Sequence, residues 1–159
     1  MWYLKAILIV VFAIILYQDF KNRLVIWFLY PLVGILTFTI QLYHTPFTVV
    51  ILNSGINLTF VTLILGVSYL YVRYRNLEFK NTIGIGDILF FVFISCSFSI
   101  LSFFILFVFA LVFSLILHFI LSIRKEEKQT VPLAGYMSLF FGAIYAVTFC
   151  LTDTFLYAF

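Results

Sequence analysis

Two carboxylates hold the chemistry on offer in this chain. It has six Asp and Glu in 159 residues, and four of them have plain explanations. Glu78, Glu126 and Glu127 stand among basic residues, where solvated charge pairing accounts for them, and Asp153 falls near the opposite face. Asp19 opens the string Asp19-Phe20-Lys21-Asn22-Arg23, and Asp87 closes Gly84-Ile85-Gly86-Asp87. Two carboxylates about 3 Å apart cannot both ionise easily, so such a pair shares one proton near neutral pH. The ionised member takes a proton from water as it attacks a peptide carbonyl. The protonated member donates to the developing oxyanion. That scheme calls for no metal and no cofactor. Each acid also has a structural reading: Asp87 follows Gly86 and can cap a helix, and Asp19 can pair with Lys21 or Arg23. Gly84 and Gly86, two positions apart, allow φ > 0 and close approach by another chain.

The elements that must position these acids are membrane spans. Apolar residues make up 65% of the chain and charged residues 9%, against about 25% charged in a soluble domain; the mean hydropathy is +1.24. Six apolar runs are legible: Trp2–Gln18, Leu24–Tyr43, Phe47–Val72, Ile88–Phe104, Ile105–Ile123 and Val131–Phe159. At about 20 residues per span, they leave no room for a separate soluble domain. The expectation is an all-α membrane protein, one bundle of six transmembrane helices over residues 1–159. The fourth and fifth runs are continuous, and as one helix would reach about 54 Å against a hydrocarbon core of about 30 Å. A turn is therefore expected, placed near Phe104.

Lys and Arg gather on the cytoplasmic side of spans. Lys21, Arg23, Arg73, Arg75, Lys80, Arg124, Lys125 and Lys128 follow the odd-numbered runs, and Lys5 alone dissents. Both ends are thus expected outside, with Asp19 and Asp87 separated by two crossings and returned to the cytoplasmic face. Lys5 and the apolar stretch after it resemble a signal peptide, but Tyr17-Gln18-Asp19-Phe20-Lys21 offers no small-residue cleavage site, so the first run is expected to persist as a helix. The net charge of +3 is no sign of nucleic-acid binding.

Asp-x-Lys after a first helix and Gly-x-Gly-Asp at the start of a later one resemble the two motifs of the type IV prepilin peptidase family, membrane aspartic proteases of the GxGD type. Val131-Pro132-Leu133-Ala134-Gly135 is similar to the Pro-containing start of that family's last helix, where Pro132 suits a first helical turn. The resemblance covers nearly the whole chain. It implies catalytic Asp19 and Asp87 at the cytoplasmic edge, supported by Lys21, Gly84, Gly86 and Pro132. It also implies an inner-membrane enzyme whose substrate is a prepilin or pseudopilin with a basic leader. The chain departs from the family in reading Val25-Ile26-Trp27 for Ile-Pro-Asn and Ile88-Leu89 for Val-Lys. It also lacks the paired Cys-x-x-Cys segment of many members, so a short form that cleaves without N-methylating its product is expected.

Other polar residues read as packing. Asn53 and Asn57 share a helix face and suit interhelical hydrogen bonds. Ser95, Ser99 and Ser102 are expected on one helix face, allowing close packing. His118 is lone, and Cys96 and Cys150 read as small apolar residues. The 22 Phe and 10 Tyr are expected on the lipid-facing surface and at its interfaces. Two rival functions compete with the protease: a small cation-coupled transporter or channel in which the two acids bind or relay cations, and a catalytically inactive relative acting in assembly.

Overall fold

Residues 2–75, 84–122, 132–149 and 154–157 are described by a computed structural model. Apolar sequence must satisfy its own backbone hydrogen bonds, and helices do this within one segment. The described chain forms α1 (Trp2–Asn22), α2 (Leu29–His44), α3 (Phe47–Tyr74), α4 (Ile85–Ile94), α5 (Ile100–Ser122), α6 (Leu133–Val147) and a single turn, α7 (Thr154–Tyr157), with no strand among the described residues. Three helices are long and apolar enough to cross a membrane: Trp2–Asn22, Phe47–Tyr74 and Ile100–Leu121. The other three fall short. At about 1.5 Å per residue, α2, α4 and α6, with 16, 10 and 15 residues, reach roughly 24, 15 and 22 Å.

Short connections and contacts between their ends set how these helices meet. α1 ends where Arg23 takes φ 55° and its amide donates to the Asp19 carbonyl at 3.2 Å, the left-handed C-terminal residue that closes many helices. The Gln18 side chain accepts from the Ile26 amide at 3.0 Å, which ties the connection back. α2 and α3 are joined by Thr45 and Pro46, and Phe38 meets Phe47 edge-on at 6.4 Å across that turn. At the same far end His44 stacks on Tyr157 at 4.5 Å.

The turn between α4 and α5 lies at residues 95–99, earlier than the Phe104 expected. Serine breaks the helix here, where the sequence has no Gly or Pro. Ser95 donates through its hydroxyl to the Val92 carbonyl at 2.6 Å, and Ser97 does the same to Ile94. Such bonds offer the backbone an alternative to helical pairing. Asn57 of α3 donates to the Ser95 and Phe98 carbonyls at 3.1 and 3.0 Å, and Ser99 donates to the Leu156 carbonyl at 3.1 Å. Ser95 and Ser99 are therefore turn residues and not part of a packing face along one helix. Beyond the turn Phe91 meets Phe107 at 5.1 Å, so α5 folds back along α4.

α6 is the hub. Met137, Phe141 and Tyr145 are fully buried among Phe12 of α1, Phe90 of α4 and Phe98 of the serine turn. Phe98 stacks on Phe141 at 5.9 Å and on Tyr145 at 5.5 Å. The aromatic residues are thus divided between surface and core: Phe12, Phe90, Phe91, Phe98, Phe103, Phe107 and Phe141 are buried, contrary to the expectation of a lipid-facing role for the set.

Candidate active site

The first turn of a helix leaves amide N–H groups without partners. At α6 the residue before the helix is Pro132, whose side chain makes no capping bond. The two acids fill the gap. Ala134 donates its amide to Asp87 Oδ1 at 2.8 Å, and Gly135 donates its amide to Asp19 Oδ2 at 2.6 Å. Asp19, buried near the end of α1, and Asp87, half-buried in the first turn of α4, thus meet on neighbouring amides of a third helix. Pro132 stands one position earlier than the first helical turn anticipated for it, so Leu133 takes that place.

Glycines make the meeting sterically possible. A Cβ on Gly135 would stand 2.9 Å from Asp19 Oδ2 and 3.1 Å from Asp19 Cβ. One on Gly84 would stand 3.1 Å from Asp87 Oδ2, and one on Gly86 would meet the Tyr30 hydroxyl at 2.6 Å. No described glycine has positive φ. Gly84 and Gly86 therefore serve by close approach alone, and the conformational freedom also expected of them is not used.

Asp87 precedes the Ile88–Phe104 apolar run, and its surroundings pull its protonation in two directions. Burial dominates and pushes the carboxyl up to about 6. Amide bonds from Ala134 and Gly84 oppose this, as does the Arg23 charge, while the charge of Asp19 adds to the rise. An acid poised there holds its proton below about pH 6 and is largely ionised by neutral pH.

Tyr30 stands out only in the structure, and Arg23, paired with Asp19 on the sequence, gains Asp87 there. Arg23 is the cation whose charge reaches both acids. Lys21, favoured from sequence, instead donates to the Tyr17 hydroxyl at 3.1 Å and lies 5.4 Å above that ring, exposed. Tyr30 of α2 is 2% exposed, and its phenol feels the charge of both carboxylates. Nothing in the sequence sets Tyr30 apart from nine other tyrosines. Gly135 lay within the recognised string Val131-Pro132-Leu133-Ala134-Gly135, but its tie to Asp19 is visible only in three dimensions.

Beside the acids an apolar groove of about 360 Å³ runs between α1, α5 and α6, lined by Leu16, Tyr17, Phe20, Leu117, Leu121 and Tyr136 among others. Among the described residues no three His, Cys, Asp or Glu side chains gather as metal ligands. The fold and site together define an all-helical protein with membrane-compatible helices and two aspartates joined at one helix end. No family model, curated protein or solved structure matches the chain.

Proposed function

We propose that this protein is a membrane aspartic endopeptidase in which Asp19 and Asp87 activate water, and that its substrate is a prepilin or pseudopilin-like protein with a basic leader ahead of an apolar helix. One observation carries the reading: acids from two separate helices converge on adjacent amides of a third. Capping one helix needs one acceptor from its own chain neighbourhood, whereas two distant carboxylates crowded onto one helix end, with the charge of Asp19 adding to the rise of Asp87, are the arrangement for sharing a proton.

In this reading six passes form a six-span bundle in the inner membrane, with α4 from Ile88 onward and the serine turn together making one pass and Asp87 standing at its edge. Lys21, Arg23, Arg73 and Arg75 lie at the end that carries the acids, which puts that end in the cytoplasm and both chain ends outside; Lys80, Arg124, Lys125 and Lys128 lie outside the described residues. The site then meets a leader–helix junction at the membrane edge, and the product leaves unmethylated. The partners are that substrate and the bilayer, with no nucleic acid.

The test is co-expression with a prepilin carrying a basic leader, comparing wild type with Asp19→Asn and Asp87→Asn by the mass of the pilin. Leader removal by wild type and its loss in both variants is the expected result. Cleavage that survives both substitutions refutes the dyad. A wild type that cleaves no pilin-like substrate while the purified protein moves cations in vesicles turns the assignment to a transporter.

A further inference from the structure

The site has a donor to spare. An oxyanion formed when water adds to a peptide carbonyl needs hydrogen-bond donors already in place, and a helix N-terminus is the usual supplier. Here the amides of Ala134 and Gly135 are taken by the two carboxylates themselves, so the donor must come from elsewhere. Tyr30, 2% exposed, supplies a hydroxyl whose phenol feels the charge of both carboxylates. Its ring is held edge-on by Phe90 at 6.4 Å. The hydroxyl fills the space a Gly86 side chain would need, one residue before Asp87.

We infer that Tyr30 is the third polar group of the site, its hydroxyl donating a hydrogen bond to the carbonyl oxygen that becomes negative when water adds to the substrate. The inference rests on the peptidase reading. In the step itself the water oxygen bonds to the carbonyl carbon, one water proton passes to the ionised aspartate, and the carbonyl π pair moves onto oxygen. There Tyr30 and the protonated aspartate stabilise it. Collapse then breaks the C–N bond, with the leaving nitrogen taking a proton from an aspartate. Tyr30 gives up no proton over the cycle.

The experiment measures cleavage kinetics of full-length protein in detergent for wild type, Tyr30→Phe, Tyr43→Phe, Asp19→Asn and Asp87→Asn. It also measures inhibition by a substrate peptide carrying a statine unit, a tetrahedral mimic, at the cleavage site. Tyr30→Phe keeps the ring and its packing. Its kcat is expected to fall roughly 100-fold to 1,000-fold, with KM within a few-fold of wild type and statine-peptide affinity weakened in parallel. Tyr43→Phe, at an exposed ring of the far end, keeps wild-type kinetics. If cleavage needs both aspartates but Tyr30→Phe keeps wild-type kcat and statine affinity, the Tyr30 inference alone is overturned. If the aspartate variants cleave normally, the peptidase reading falls and takes this inference with it.

Discussion

Replacing Gly86 by alanine should damage the protein through one atom. The new Cβ stands 2.6 Å from the Tyr30 hydroxyl, 0.8 Å inside the 3.4 Å at which ordinary contact begins. The phenol cannot swing aside freely, because Tyr30 is 2% exposed and packed against Phe90. Overpacking of this kind costs about 1–3 kcal/mol, against a gain of at most about 1 kcal/mol from alanine's better helix propensity. A net loss of about 1–2 kcal/mol is expected. The same substitution in a Tyr30→Phe background meets no hydroxyl; the nearest ring atom is then Cζ at 3.5 Å, an ordinary contact. Gly86→Ala should there be neutral or mildly stabilising, so the double-mutant cycle yields a coupling of about 1–3 kcal/mol. The assay is unfolding of detergent-solubilised protein by SDS, followed by far-ultraviolet circular dichroism, for the four combinations. Equal effects of Gly86→Ala in the two backgrounds would refute the contact, and with it the placement of Tyr30 beside Asp87.

Gly135→Ala should lower stability by about 1–3 kcal/mol and cut leader removal at least tenfold, because its Cβ meets both the carboxylate and the Cβ of Asp19; Gly55→Ala, with nothing within 4 Å, should be harmless in the same melting and cleavage assays. For Asp87 the folded value of about 6 lies above its ordinary 3.8, so between these pH values the folded chain holds a proton that the unfolded chain has released. Stability therefore falls as pH rises through that window, by about 3 kcal/mol at roughly 1.4 kcal/mol per pH unit. Asp87→Asn should flatten that slope in SDS unfolding measured from pH 4 to pH 7. Asn57→Leu leaves the Ser95 and Phe98 carbonyls without their donor and should cost about 2–6 kcal/mol at about 1–3 kcal/mol per orphaned group; a loss under about 0.5 kcal/mol in the same unfolding assay would contradict the stitching of the turn.

Much of this architecture was legible in the residues. Long apolar runs can only be helices, and counting passes between Asp19 and Asp87 puts them at one end of the molecule, where the structure has them. The site glycines Gly84 and Gly86 were also visible, although their use is steric. Three things stayed hidden for physical reasons. The break after Ile94 rests on serine hydroxyls bonding backwards to carbonyls and on Asn57 reaching from another helix, neither of which leaves a turn signature in the local sequence. The buried phenylalanines look the same in composition as lipid-facing ones. Tyr30 matters only through neighbours distant in the chain, so no spacing rule singles it out; Arg23 was legible beside Asp19, but its reach to Asp87 was not, and Lys21, read alongside it, sits on Tyr17.

The bond from Gly135 to Asp19 joins residues 116 positions apart. During synthesis α1 and α4 therefore emerge long before the helix end that unites their acids, and a nascent chain holding both aspartates has no assembled centre. The pairing of the two carboxylates is completed only when α6 docks, so in the proposed peptidase competence would arrive in one step.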